Sequence, residues 1–287
     1  MTEPLLALKG LTKHYKEFSL QDASFEIQPG TLMGLIGPNG AGKTTLLKAI
    51  LGLVRLDGGS VRLAGLDLAT QDAALKQRIA YVPDEPRFAP GARLQTLMEV
   101  HAPFYPDFDA RRWQGLMEDF GLDPRKKARE LSLGQRTRFA LTLALSRDPD
   151  LLVLDEPTTG LDPVFRRELI QRLTARLTER NAILFSTHIT SDLERRADHV
   201  TLLSKGRVRF SLTQDDLRER WALVKGGLDL LDSEVRASFQ GLRETPHGFE
   251  ALVDDADQAR SRFEGLALVE RASLEDILVL MGGPAHA

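Results

Sequence analysis

Residues 32–47 read LMGLIGPNGAGKTTLL. Within this stretch Gly37, Gly42, Lys43 and Thr44 fit the pattern G-x-x-x-x-G-K-[ST]. The apolar residues before the glycines predict a buried strand, and the pattern after Lys43 predicts a helix. A strand, a glycine-rich turn and a helix form the context that a phosphate-binding loop requires.

Each residue type in this loop has a chemical reason. Glycines let successive backbone N–H groups turn toward a phosphate, where a Cβ would obstruct them. The new helix adds its dipole and unpaired N–H groups. Lys43 can reach the β- and γ-phosphates, and the Thr44 hydroxyl can ligate Mg²⁺. A chance glycine loop is the alternative, but the full pattern in context disfavours it. We therefore predict a nucleoside triphosphate site formed by Gly37, Pro38, Asn39, Gly40, Ala41, Gly42, Lys43, Thr44 and Thr45.

Composition narrows the class of protein. The 287 residues can form a main domain plus a smaller one. A net charge of −3 gives no basic field, so no nucleic-acid partner is expected. The absence of cysteine excludes disulfides and thiolate metal sites and suits the cytoplasm. No basic leader or apolar run of about 20 residues is present, so a membrane role would depend on a partner.

The hydrophobic pattern predicts an α/β fold. A helix is expected from Lys43 to about residue 53, and others at 135–146, 163–180 and 191–197. Asp148-Pro149 precedes a continuously apolar run that is typical of a central parallel strand. Predicted strands cover 5–9, 18–27, 61–63, 78–82, 151–154 and 182–186, with a hairpin at 200–210 that turns at residues 205–206.

Two regions depart from this alternation. Residues 84–130 contain five prolines with helical patterns between them, which indicates a helical insertion. Helices are expected at 94–104 and, capped by Asp109, at 110–120. We assign 1–210 to the main domain, with the helical subdomain at about 84–146, and 211–287 to a small α/β extension. Its predicted strands are 221–224, 249–253 and 266–269, and Ser273 would cap a last helix at 274–281.

Two further segments carry candidate chemistry. LLVLDEP (151–157) ends a buried strand with Asp155, placed to hold Mg²⁺, and Glu156, placed to act as a general base. A solvated acidic strand end is the alternative, which the phosphate loop disfavours. His188 follows the next strand and could position the attacking water, although a lone histidine is more often structural.

The stretch LSLGQ (131–135) precedes a helix, with Ser132 as a suitable N-cap and Gly134 leaving backbone N–H groups approachable. It could form a second anion site. From the residues alone, an ordinary capped helix is favoured.

Together these pieces resemble the nucleotide-binding subunit of ATP-binding cassette (ABC) transporters, in order and spacing, from residue 5 to about 210. The resemblance rests on several motifs: GPNGAGKTT (37–45) is similar to Walker A, LLVLDEP to Walker B with its catalytic glutamate, LSLGQ to the signature LSGGQ, GLD (160–162, with Asp162) to the D-loop, His188 to the switch histidine and Tyr15 to the aromatic residue that stacks on adenine.

The resemblance implies a P-loop NTPase core with an N-terminal antiparallel β subdomain. It also implies ATP and Mg²⁺ as cofactors and a head-to-tail dimer, formed with the same chain or a paralogue. In that dimer Ser132, Leu133, Gly134 and Gln135 of one subunit would act on the nucleotide of the other. Separate transmembrane permease subunits would hold the dimer at the cytoplasmic face of the membrane.

The chain departs from the family at Asp84, where glutamine is usual. A carboxylate there should ligate Mg²⁺ but repel the γ-phosphate, unless the equivalent residue is Glu85. Leu133 also replaces a glycine. The block FYPDFD (104–109), the DEP variant (84–86) and SLEDI (273–277) resemble the ABC-2-type exporter branch. Packing of the insertion is the other interpretation of the first block.

Two other functions were considered. A soluble cassette ATPase acting on ribosomes or DNA is disfavoured by the single cassette, the missing heptad run and the net charge of −3. A non-catalytic regulatory cassette is disfavoured by the presence of Lys43, Asp155, Glu156 and His188.

Overall fold

A computed structural model of the chain describes residues 3–194 and 196–282. Its strands are β1 (Leu6–His14), β2 (Ser19–Ile27), β3 (Leu32–Ile36), β4 (Gly58–Leu63), β5 (Leu66–Asp67), β6 (Ile79–Val82), β7 (Leu151–Asp155), β8 (Ala182–Thr187), β9 (His199–Ser204), β10 (Arg207–Thr213), β11 (Ala222–Gly226), β12 (Gly241–Thr245), β13 (Gly248–Val253) and β14 (Leu268–Arg271). Its α-helices are α1 (Lys43–Ile50), α2 (Leu68–Gln77), α3 (Leu94–His101), α4 (Ala110–Asp119), α5 (Leu133–Leu145), α6 (Pro163–Thr174), α7 (Gln214–Arg220), α8 (Ser233–Ala237), α9 (Ala256–Arg262) and α10 (Leu274–Gly282).

The central sheet has the strand order β10-β9-β3-β8-β7-β6. Strands β3, β7 and β8 are buried along their whole length, as expected of parallel strands covered on both faces. Strand β10 runs antiparallel to β9 at the edge, through the predicted turn at Lys205 and Gly206. Because β3, β8 and β7 are adjacent and parallel, the segments that follow them meet at one edge of the sheet.

A second, antiparallel sheet has the order β2-β1-β4-β5. Its apolar side chains share a core with α1 and one face of the central sheet. Strand β1 extends five residues beyond the predicted end at residue 9, since its continuation pairs with both β2 and β4. This sheet is the N-terminal antiparallel β subdomain that the sequence predicted.

Helices α3, α4 and α5 lie within the range predicted for the helical subdomain, about 84–146. Asp109 caps α4 as predicted, accepting hydrogen bonds from the backbone N–H groups of Arg111 (2.8 Å) and Arg112 (3.0 Å). The helix expected at 94–104 ends earlier, as α3 followed by a 3₁₀ turn at 102–104. The FYPDFD block packs within this region, where Tyr105 lies under the guanidinium of Arg147 at 3.7 Å.

The C-terminal sheet has the order β12-β13-β11-β14. Strand β12 was not predicted, because it is a largely exposed edge strand without an apolar alternation. Ser273 caps α10 as expected, its hydroxyl accepting from the N–H of Asp276 at 3.1 Å. Trp221 and Ile277 belong to the same core as the central sheet, so the extension packs against the main domain.

Two further predicted helices differ from the structure. Helix α6 ends at Thr174 rather than 180, because Asn181 bonds the backbone of Thr178 and Arg176 and closes a turn instead. The helix expected at 191–197 is a 3₁₀ turn at 190–192, and Arg195 lies outside the described residues. Within 3–194 and 196–282, no helix combines the length and apolarity needed to cross a membrane.

Candidate active site

The phosphate loop connects β3 to α1. Gly42 has φ +105°, and a Cβ there would lie 2.4 Å from the ring of Phe18. A Cβ on Gly37 would lie 2.3 Å from the carbonyl oxygen of Leu203. Both positions therefore require glycine, one for its backbone conformation and both for close approach. Helix α1 begins without a side-chain cap and without an acid in its first turn, which leaves its N–H groups to an anion.

Lys43 is buried and lies between the loop and Glu156, the residue that follows β7. Its Nζ donates to the carbonyl oxygen of Gly37 at 2.7 Å and lies 3.1 Å from Oε1 of Glu156. The ammonium group is thus held at the floor of the loop by oxygen atoms. Phosphate oxygens would offer it the same type of partner.

Asp155 ends β7, opposite Ser186 in the register with β8. The Ser186 hydroxyl donates to Oδ1 of Asp155 at 2.6 Å, while Oδ2 is buried and has no hydrogen-bond partner in the described part of the chain. A buried carboxylate oxygen without a partner is costly, and a hydrated cation would satisfy it. Sequence reasoning missed Ser186; its polarity at the end of the apolar strand was the available signal.

Mg²⁺ fits this arrangement as a shared ligand. In residues 3–194 and 196–282, no three histidine or carboxylate side chains converge closely enough to hold a metal ion. Asp155 and the exposed Thr44 hydroxyl would therefore hold Mg²⁺ together with phosphate oxygens and water, which is how this ion is usually bound.

Glu156 has the left-handed φ of +48°, a conformation that a non-glycine residue adopts only when its surroundings impose it. Its N–H donates to the carbonyl oxygen of Ser186 at 3.1 Å. Its Oε2 lies 2.8 Å from Nδ1 of His188 and accepts from the His188 backbone N–H at 3.3 Å. The structure therefore joins Lys43, Glu156 and His188, from three separate segments, around one carboxylate.

A cleft of about 750 Å³ opens above this group. The half-exposed ring of Tyr15 stands on its wall with Phe18, and the phosphate loop forms its floor. The flat ring of Tyr15 and the phosphate loop therefore face the same cleft. The cleft is lined by Tyr15, Glu17, Phe18, Pro38, Asn39, Gly40, Ala41, Gly42, Lys43, Thr44, Thr45, Lys48, Val54, Asp84 and Glu156.

Asp84 lines the cleft, whereas Glu85 makes an exposed ion pair with Arg87 at 3.2 Å. Partial burial raises the pKa of Asp84, and the negative charges of Asp155 and Glu156 raise it further. The carboxylate thus stands in a negative field, which a bound cation would relieve.

The LSLGQ segment lies outside this cleft. Ser132 caps α5 as predicted, in a reciprocal pair of hydrogen bonds with Gln135 at 3.1 and 3.2 Å. Leu133 is 48% exposed, so its side chain faces away from the protein interior. Gly134 faces the backbone of Gly160, whose carbonyl oxygen would lie 3.2 Å from an added Cβ.

Asp162 follows Gly160 and caps α6. Its Oδ1 accepts from the N–H of Phe165 at 2.9 Å, and its Oδ2 pairs with Arg138 of α5 at 2.9 Å. The GLD segment is therefore tied to the helix that LSLGQ begins. The N–H of Phe165 and the charge of Arg138 lower the pKa of Asp162.

Comparisons with known proteins identify the family of the chain. A family model described as ABC transporter matches residues 20–159. A Nod factor export ATP-binding protein I of Ralstonia nicotianae is 36% identical over 210 residues, covering 71% of this chain and 65% of that protein. The ABC transporter ATP-binding protein YtrB of Bacillus subtilis is 31% identical over 211 residues, covering 73% of this chain and 72% of that protein.

A solved structure, of the ATP-binding subunit of an ABC transporter, superimposes with a TM-score of 0.70 at 31% identity, covering 75% of this chain and 92% of that one. The predicted P-loop NTPase fold and the placement in the ABC-2-type exporter branch are thereby confirmed. The chain therefore belongs to the ABC transporter family, as an ATP-binding subunit with ATPase activity.

Proposed function

We propose that this subunit closes head to tail on MgATP with a second ABC ATPase subunit, and that hydrolysis reopens the pair. One observation carries the proposal: the cleft holds the phosphate loop, Lys43 and Glu156, while the LSLGQ segment of the same chain, with Ser132 and Leu133 exposed, does not line it. A second copy of the chain, or a paralogue, would supply that segment. Closing and opening would drive export through separate transmembrane subunits.

Each site residue then has a role. Lys43 and backbone N–H groups of the phosphate loop and of the start of α1 bind the phosphates, and Tyr15 stacks on the adenine. Glu156 takes a proton from the water that attacks the γ-phosphorus, while ADP leaves with its electron pair. His188, 2.8 Å from Glu156, orients that carboxylate and contacts the γ-phosphate. Thr44, Asp84 and Asp155 would hold Mg²⁺, which would supply positive charge against the phosphates.

The trans contacts come from the segment beside Gly160. Ser132, Leu133, Gly134 and Gln135 would meet the γ-phosphate held by the partner subunit, and Asp162 would line the same interface. Because Asp162 is tied to α5 through Arg138, the two segments would move together when the dimer closes. We place the assembled dimer on the cytoplasmic face of the membrane, held there by the permease.

Affinity purification of the tagged full-length chain from detergent-solubilised membranes tests this function. We expect a polytopic membrane protein to co-purify, together with a second ATPase subunit that is either another copy of this chain or a paralogue. Recovery with ribosomes or DNA alone would contradict the proposal and favour a soluble cassette ATPase.

We expect Tyr15→Ala to weaken ATP binding roughly 10-fold while leaving inorganic triphosphate binding unchanged, because stacking on a base contributes about 1–3 kcal/mol. Titration of each ligand by calorimetry measures the two affinities. Tyr15→Phe keeps the ring and should bind ATP like the wild type. Equal weakening of both ligands by Tyr15→Ala would refute the stacking role.

We expect Asp84→Asn to tighten ATP binding roughly 3- to 10-fold without Mg²⁺, because a negative charge that faces the phosphates is removed. The gain in affinity on adding Mg²⁺ should shrink, since one oxygen ligand is weakened. Dissociation constants measured in EDTA and in excess Mg²⁺ give both quantities. Glu85→Gln, at the neighbouring position outside the cleft, is the matched control. Unchanged ATP affinity under both conditions would argue against a place for Asp84 beside the phosphates.

A further inference from the structure

Asp192 is a buried carboxylate that the proposed function leaves without a role. It lies on the 3₁₀ turn at 190–192 and is 6% exposed. The hydroxyl of Thr158, itself fully buried, donates to its Oδ2 at 2.7 Å. Nη1 of Arg166 lies 3.8 Å from its Oδ1.

The three residues come from three different segments, and each segment begins at a site residue. Thr158 is two residues beyond Glu156, and Asp192 is four residues beyond His188. Arg166 is one turn into α6, whose N-cap is Asp162. These three segments are therefore joined to one another by the cluster of Thr158, Arg166 and Asp192.

Burying this carboxylate is costly, and the cost is only partly offset. Burial raises the pKa of Asp192, while the hydrogen bond from Thr158 and the charge of Arg166 lower it. The Nε of Arg166 is buried without a hydrogen-bond partner among the described residues. An apolar residue would fill this position at lower cost, so stability alone does not account for Asp192.

We propose that Asp192 is a positioning residue for ATP hydrolysis. It fixes the turn that follows His188 against Thr158, and thereby keeps the imidazole 2.8 Å from Glu156. Through Arg166 it also ties that turn to α6, so that His188 and Asp162 respond to the same movement. The inference rests on the proposed roles of Glu156 and His188, and it adds the part of the chain that aligns them.

Asp192→Asn tests this role, because the amide can still bond Thr158 but carries no charge for Arg166. We expect kcat for ATP hydrolysis to fall about 10-fold while KM for ATP changes less than 2-fold, since Asp192 does not line the nucleotide cleft. The ¹⁵N side-chain resonances of His188 should shift, because its contact with Glu156 is loosened. Thr158→Val should give the same pattern. The double variant should lose little beyond either single variant, as expected for groups that act together.

Glu168→Gln is the matched control. It neutralises a half-exposed carboxylate on α6, the helix that carries Arg166, and this carboxylate pairs with Arg172 rather than with the cluster, so kcat should be unchanged. If Asp192→Asn does not fold, Thr158→Val carries the test with the same expected values. Unchanged kcat in folded variants, or a parallel change in kcat and KM, would overturn the positioning role. Wild-type turnover by Glu156→Gln would instead contradict the proposed function, so the two failures are distinguishable.

Discussion

Glu156→Gln is expected to lower kcat for ATP hydrolysis by about 10²- to 10⁴-fold, the usual contribution of a general base. ATP affinity should stay within a few-fold of the wild type, because the phosphate loop and Lys43 are retained. The amide oxygen can still accept from the backbone N–H of His188, so the local fold should persist. Without hydrolysis, MgATP should therefore hold the subunits together as a stable dimer.

Phosphate release measures the loss of hydrolysis, and light scattering after gel filtration measures the formation of the dimer. Glu168→Gln, which changes a half-exposed carboxylate on α6, should hydrolyse ATP normally and dimerise only transiently. Turnover at the wild-type rate would remove Glu156 from the role of base. Loss of turnover without an ATP-dependent dimer would leave the base in place and contradict the head-to-tail assembly.

Arg147→Met should lower the free energy of unfolding by about 3 kcal/mol, because it removes the partner of one buried and two partly buried oxygen atoms. Arg147 is 2% exposed; its Nη1 donates to the carbonyl oxygen of Ile79 at 2.7 Å, and its Nη2 donates to that of Gln77. Its Nε pairs with Asp107 at 3.1 Å, and the guanidinium stacks on Tyr105. This side chain thus joins the start of β6 to the helical insertion.

Urea denaturation of the full-length chain measures the change. Arg136→Met is the matched control: Arg136 lies on α5, which ends two residues before Arg147, and no ion pair or side-chain hydrogen bond of Arg136 is found among the described residues. It should change stability by no more than about 0.5 kcal/mol. If Arg147→Met lowers the free energy of unfolding by less than about 1 kcal/mol, water or neighbouring groups must bond the carbonyl oxygens that Arg147 leaves.

Much of the fold could be predicted from local patterns in the sequence. The apolar strands, the loop glycines and the caps at Asp109, Ser132 and Ser273 were predictable, because each depends on a pattern within a few residues. Errors fell where local pattern competes with tertiary packing. Strand β12 forms only because β13 offers it an edge, and the turn at 190–192 is held by a contact with Thr158 rather than by helical periodicity.

The division at residue 210, the bounds of the helical subdomain and the roles of the site residues stay predictions. The sequence assigned the expected position to Asp84 and left a one-residue shift to Glu85 open. The structure separates them by direction, since Asp84 lines the cleft and Glu85 turns to Arg87. Residues 283–287 of the assigned extension lie outside the part of the chain that the structure describes.

The sequence by itself determined that the chain binds a nucleotide, because a phosphate loop needs its glycines, lysine and threonine as neighbours along the chain. Tertiary structure alone decided that Lys43 and His188 both contact the carboxylate of Glu156, and that Asp192 bonds Thr158, which is two residues beyond Glu156. Those contacts join residues more than 30 positions apart. They follow from the order of β3, β8 and β7, which brings the ends of three separate strands to one edge of the sheet.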